Sequence, residues 1–137
     1  MAEWQEPKTD WISTDRFNIE DYNRIKNNLL YVWGQAQLIW GKFEIADMGE
    51  DITSYSVYWD VDMFNAFEAN VDTINEHMLS QDYGIRQTFY ENGPFIKWDE
   101  LNRIENAILR MKRIVDGRKA SLVRLAFRLG APAGLKL

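Results

Sequence analysis

Three stretches of the chain are written to one pattern: Tyr22-Asn23-Arg24-Ile25-Lys26-Asn27-Asn28-Leu29, Phe64-Asn65-Ala66-Phe67-Glu68-Ala69-Asn70-Val71 and Leu101-Asn102-Arg103-Ile104-Glu105-Asn106-Ala107-Ile108. Each places an aromatic residue or Leu first, Asn second, an apolar residue fourth, a charge fifth and an apolar residue eighth. Around each copy, apolar residues recur at −3, 0, +3, +7, +10 and +14. The first set runs from Ile19 through Tyr22, Ile25, Leu29 and Val32 to Ala36. The second runs from Val61 through Phe64, Phe67, Val71 and Ile74 to Met78, and the third from Trp98 through Leu101, Ile104, Ile108 and Met111 to Val115. Such spacing marks one apolar stripe on an α-helix. A helical scaffold written three times points to binding or assembly rather than to catalysis.

The copies start 42 and 37 residues apart, a period found in helical arrays. The reading is a mainly α fold: a three-helix bundle built from a triplicated extended-segment-plus-helix unit, with short extended or β pieces in the connections. At 137 residues and 46% hydrophobic content, the chain is expected to hold one core in one domain. Residues 1–17 read as an extended arm, 18–116 as the three-helix body and 117–137 as a basic C-terminal segment and tail.

Local signals give the boundaries. Asn18 precedes Ile19 with Asp21 three residues on, so helix one should start there and run to Trp40, stopping at Gly41. Asp60 should cap helix two, which ends near Leu79 or Ser80. Helix three should open near Lys97 or Trp98 and reach Val115 before Gly117. Residues 54–59 are aromatic and β-branched enough for a short extended piece, and 87–90 fit a hairpin or extended run between two turns. Residues 123–129 alternate apolar and basic, which suits a strand, while Leu122, Val123 and Ala126 also allow a fourth helix. As a strand, this segment would need an edge to pair with, in this chain or in a second copy. The composition of residues 130–134 reads as a flexible tail.

Asn23, Asn65 and Asn102 hold the same place beside the stripe although Asn is a poor helix former. An amide there can donate and accept at once, so it suits pinning the backbone of an extended segment that crosses the helix.

Charge is divided along the chain. From Arg110 onward there are eight bases and one acid, Asp116, whereas the preceding residues carry eight bases and twenty acids. An acidic body with a basic end suits head-to-tail contact with a second copy or an acidic neighbour. The acidic body would repel phosphate and no recognition motif accompanies the bases, so nucleic acid is not an expected partner. Six Trp residues are spread along the chain; rings of this kind fill cores or anchor protein contacts. Trp4, Trp11, Arg113, Arg118, Arg124, Phe127 and Arg128 are the candidate subunit-interface residues.

Catalytic groups are sparse. The only histidine, His77, falls between core positions Ile74 and Met78 on the exposed side of helix two. The carboxylates Glu20-Asp21, Asp60 with Asp62, and Asp99-Glu100 sit at helix starts, where the helix dipole accounts for them. Asp47, Glu50 and Asp51 lack the spacing of a calcium loop, the glycines are dispersed rather than gathered in a phosphate-binding run, and there is no cysteine. No catalytic or metal-ligating residue, cofactor or small-molecule substrate is expected. No apolar run approaches a membrane span, and Met1 to Pro7 lacks a basic region followed by an apolar run, so a soluble chain without a membrane partner is the expectation.

Two longer phrases carry a resemblance. Pro7-Lys8-Thr9-Asp10-Trp11 followed by Phe17 to Asn28, and Phe89-Tyr90-Glu91-Asn92-Gly93-Pro94-Phe95 followed by Glu100 to Asn106, resemble small structural proteins encoded in tail and baseplate gene clusters of phages and prophages of Gram-positive bacteria. The resemblance covers most of residues 7–110. It implies a virion component at the tail tip, baseplate or fibre attachment, present in multiple copies and in contact with other virion proteins. Such sequences often continue into a fibre or receptor-binding region; this chain ends at Leu137, which favours an adaptor or connector over direct receptor binding. Two other classes fit the same residues: an aromatic-rich module that grips host-surface sugar, and a small cytoplasmic interaction protein.

Overall fold

A computed structural model describes residues 3–55 and 58–128. It contains three helices, α1 (Ile19–Trp40), α2 (Val61–His77) and α3 (Trp98–Arg128), each packed against the other two. Each start has its own local cause. At α1 the Asp21 carboxylate accepts the Asn18 N–H at 2.9 Å. At α2 Asp60 accepts the Asp62 N–H at 2.9 Å, and at α3 the first turn carries Asp99 and Glu100. α1 stops at Gly41, whose φ of 99° lies where only glycine is unstrained.

The helices run parallel. Near the start of α1, Arg24 meets Glu105 of α3, and near its end Gln35 accepts a hydrogen bond from Lys119 at 2.8 Å. Tyr22 lies 5.1 Å from Phe67 at the start of α2. Phe43, whose carbonyl accepts from Trp33 Nε1, stacks on His77 at the end of α2. An up-and-down bundle needs only short turns. Here residues 41–60 and 78–97 separate the helices, ample length to run back along the bundle, given roughly 3.3 Å per extended residue.

One interior collects the three stripes. Tyr22, Ile25, Leu29, Val32 and Ala36 of α1 meet Phe64, Phe67, Val71, Ile74 and Met78, and the Leu101 to Val115 set of α3, in a single buried cluster. The alternating steps of three and four residues keep one apolar face on each helix turned to the other two. The stripe stops short at its −3 positions, the first residue of each helix: Ile19 and Val61 are half-buried, and Trp98 is 45% exposed.

Three expectations are corrected. α3 does not end before Gly117 but continues to Arg128, because a helical glycine costs only about 1 kcal/mol and helix formers surround it. Residues 123–128 are therefore helix, neither a strand nor a separate fourth helix. Among the described residues there is no β-strand. Residues 87–90 are extended, yet their backbone groups bond to side chains of α2 rather than to another strand. Ser56 and Val57 of the expected 54–59 piece, and Leu129 onward in the C-terminal segment and tail, lie outside the described residues.

Candidate functional site

The polar groups of this protein are arranged in two ways: an internal set that binds the connections to the helices, and two exposed ends.

Asparagines build the internal set. Asn23 accepts the Ile52 N–H and donates to its carbonyl, both at 2.9 Å. Asn65 does the same to Phe89 at 2.8 and 2.9 Å, and Asn102 to Trp11 at 2.8 and 3.0 Å. A planar amide matches the peptide edge of an extended chain, so one side chain replaces a strand partner. Two further asparagines, Asn28 on Gln5 and Asn70 on Ala46, clamp in the same way. Counted from the start of each copy, both are seventh, where the third copy has Ala107. Arg110 takes over there, donating to the Asp82 carbonyl at 3.1 Å and covering the Tyr83 ring at 4.7 Å.

The fifth position of each copy carries a buried charge: Lys26, Glu68 and Glu105. Glu105 is fully served. Its oxygens accept Arg24 Nε at 2.8 Å and Nη2 at 2.9 Å, the Lys8 N–H at 3.1 Å and Trp11 Nε1 at 2.5 Å. Glu68 accepts the Gln87 N–H at 2.7 Å and Arg103 Nη2 at 2.5 Å through one oxygen, while its other oxygen has no hydrogen-bond partner. Burial is the largest single influence and opposes the charge of Arg24 and of Arg103, but the hydrogen bonds and charges of Glu105 with Asp21, and of Glu68 with Glu100, together outweigh it and leave both guanidinium pKa values raised. Lys26 pairs with Asp51 on the connection instead, and the hydrogen bond from Lys26, then that from Asn27, lowers the Asp51 pKa. Gly84 makes room for the second ion pair: its φ is 88°, and a Cβ there would lie 2.7 Å from Arg103 Cδ.

Trp11, read from sequence as an interface residue, is core. It is 2% exposed, with its ring nitrogen on Glu105 and its backbone on Asn102. Trp4 is half-buried against Tyr31, with Lys112 over its ring. Arg113, Arg118, Arg124, Phe127 and Arg128 are exposed along α3.

Those residues belong to the first exposed end. The last buried residue of α3 is Val115, so the helix from Asp116 to Arg128 extends about 20 Å without a buried side chain, at 1.5 Å per residue. It carries Val123, Leu125 and Phe127, the last 86% exposed. The opposite end is where the three helices start. Phe17 lies there within 5.0 to 6.1 Å of the Trp59, Phe64 and Phe95 rings, beneath the exposed Tyr58, Tyr90 and Trp98. Trp59, Phe89, Tyr90, Pro94 and Phe95 wall a shallow cavity of about 180 Å³.

His77 is exposed, with Nδ1 2.9 Å from the Thr73 carbonyl and its ring stacked on Phe43 at 4.2 Å; no acid or nucleophile meets it among these contacts. Among the described residues no group of three or more His, Asp or Glu could hold a metal ion, and no helix is long and apolar enough to cross a membrane. The sequence reading missed the buried charges and Asn28 and Asn70. Their signal was present as a charge at the fifth position of every copy and an Asn at the seventh position of two. Comparison of the chain with protein-family models, curated proteins and solved structures finds no match.

Proposed function

We propose that this chain is a structural component of a phage virion, an adaptor at the tail tip, baseplate or fibre attachment whose role is assembly rather than catalysis. The observation that carries this reading is the end of α3: a helix running on past Val115 with Leu125 and Phe127 in solvent beside Arg118, Arg124 and Arg128. Exposed apolar residues of this size at a helix end are a feature of docking elements. The body supports the reading because its polar side chains are largely spent on holding its own connections, which makes a rigid block. The phrases that resemble tail and baseplate proteins suggest the class of partner. We further read the fold as one unit used three times, since the clamped residues Trp11, Ile52 and Phe89 face equivalent asparagines. Mass spectrometry of purified particles from a strain carrying the gene tests the reading. Peptides of this chain at stoichiometric level are expected; their absence from particles, with the chain present in the lysate, would refute it.

A second reading rests on the opposite end. Tyr58, Tyr90, Phe95 and Trp98 are exposed and line separate shallow cavities, and exposed rings stack on sugars. Binding of the isolated protein to a glycan array would favour this module, and loss of that binding in Tyr90→Ala and Trp98→Ala would place it there.

A further inference from the structure

Parallel packing has an electrostatic consequence that an up-and-down bundle of the same composition would lack. Acidic residues favour helix starts, so three parallel helices gather acids at one end of the body; the last turn of α1 carries no base and that of α2 only His77, so the bases at the other end are those of α3. At the starts, Glu20, Asp60, Asp62, Glu91 and Asp99 are exposed and outnumber the exposed Arg16 and Lys97. Glu91 and Asp60 share a cavity of about 370 Å³ with Tyr58 and Trp59. At the other end, Arg118, Arg124 and Arg128 are exposed on α3, and the only acid past Arg110, Asp116, is engaged by Lys112 at 2.5 Å.

Each end also carries apolar surface. Leu122 and Leu125 continue the three-and-four spacing of Leu101, Ile104, Ile108, Met111 and Val115, yet Leu125 is 51% exposed and Phe127 stands out further. At the helix starts Tyr90 and Phe95 line one open cavity, Trp98 a second and Tyr58 a third, and all four rings are exposed. The α3 extension is basic with protruding aliphatic and aromatic residues; the helix starts are acidic with receptive aromatic hollows. Two basic ends would repel one another, as would two acidic ends.

We infer that the occupant of the α3 extension is a second copy of this chain, docked head to tail: Leu125, Phe127 and Arg124 of one copy on the Tyr58, Tyr90 and Trp98 end of the next, where Asp62 and Glu91 meet the arginines. The inference deepens the assembly reading and rests on it. The contact joins two different surfaces, so it propagates into a chain or closes into a ring, and does not stop at a two-fold dimer.

Sedimentation of the full chain across a dilution series, in low and in high salt, tests this. The expected result is mass above the 16.2 kDa monomer that grows with concentration and falls with salt, since salt screens such contacts. Leu125→Asp with Phe127→Asp disables the tail, and Asp62→Lys with Glu91→Lys disables the head; neither pair removes a buried group, and melting curves check that both variants fold. Each variant alone should be monomeric. Mixed, they should form a dimer and stop there, because only one working surface of each remains. A wild-type chain monomeric at every concentration and salt overturns the inference. So does association lost with the tail variant but kept by the head variant, which would mean tail-to-tail contact. A chain that stays monomeric in solution yet is present in purified particles overturns this contact while the virion reading stands.

Discussion

The one side-chain amide of Asn102 holds both backbone groups of Trp11, so Asn102→Ala leaves two main-chain groups without partners. Removing one partner of a bonded pair costs about 1 to 3 kcal/mol, and denaturant unfolding should show a loss of that size; an unchanged midpoint would mean water replaces the amide at no cost. A gain of stability follows from comparing the two buried glutamates. Glu105 receives an indole N–H from Trp11, whereas Glu68 has an unpartnered oxygen, and Asn65 clamps Phe89 as Asn102 clamps Trp11. Phe89→Trp should offer the missing donor and stabilise the protein by about 0.5 to 1.5 kcal/mol. The same substitution in a Glu68→Gln background, whose amide can turn its NH2 toward the ring, should give less; equal gains in both backgrounds would assign the effect to packing alone. The Asn column was legible because a poor helix former kept its place in all three copies. The buried charges were not, because a charge beside an apolar stripe is ordinarily a solvated one, and only the folded chain shows Arg24 reaching across to Glu105. Trp11 was misjudged for a related reason: an aromatic residue in a polar arm looks exposed until its partner is known.

Elements followed their punctuation where it was strong. Asn18, Gly41 and Asp60 mark the ends they were expected to mark, since capping and a positive φ depend on neighbours in sequence. Gly117 misled because a glycine halts a helix only when the chain has cause to turn there. It sits inside α3 with open space where a Cβ would be, so Gly117→Ala should stabilise by about 0.5 to 1 kcal/mol, read as a higher melting temperature with unchanged helix content at low temperature. The expected β pieces failed for another reason: extended chain needs partners for its backbone, and here the partners are side chains on helices, which composition does not reveal. The connection from Phe43 to Ile52 offers a pH test. Its Asp51 pairs with the buried Lys26, and the lowered Asp51 pKa means that this stability is present above the ordinary aspartate value of 3.8 and is lost as pH falls through the lower folded value. Acid titration followed by amide exchange at Ile52 should show this connection loosening below that pH, and Asp51→Asn should remove that step. Identical acid profiles for the two proteins would place the acid-sensitive contact elsewhere.

At the scale of the whole molecule, spacing alone told how many helices there are and which faces meet, but not their direction. The repeated stripe is compatible with parallel and antiparallel packing. What distinguishes them is the length of the connections and the clamps that lay those connections back along the bundle. From that direction follow the gathering of acids at one end and the projection of the basic α3 extension from the other. Because the chain has no cysteine, paired spin labels can be placed without competing sites, and the distance between them is the most direct test of the central claim. Labels at Glu20→Cys and Asp99→Cys, at the starts of α1 and α3, should lie within about 20 Å, two interhelical spacings of roughly 10 Å. Labels at Glu20→Cys and Arg124→Cys should lie about 35 Å or more apart, the rise of 1.5 Å per residue along α3. Short distances for the second pair and long ones for the first would show α1 and α3 antiparallel and contradict the account.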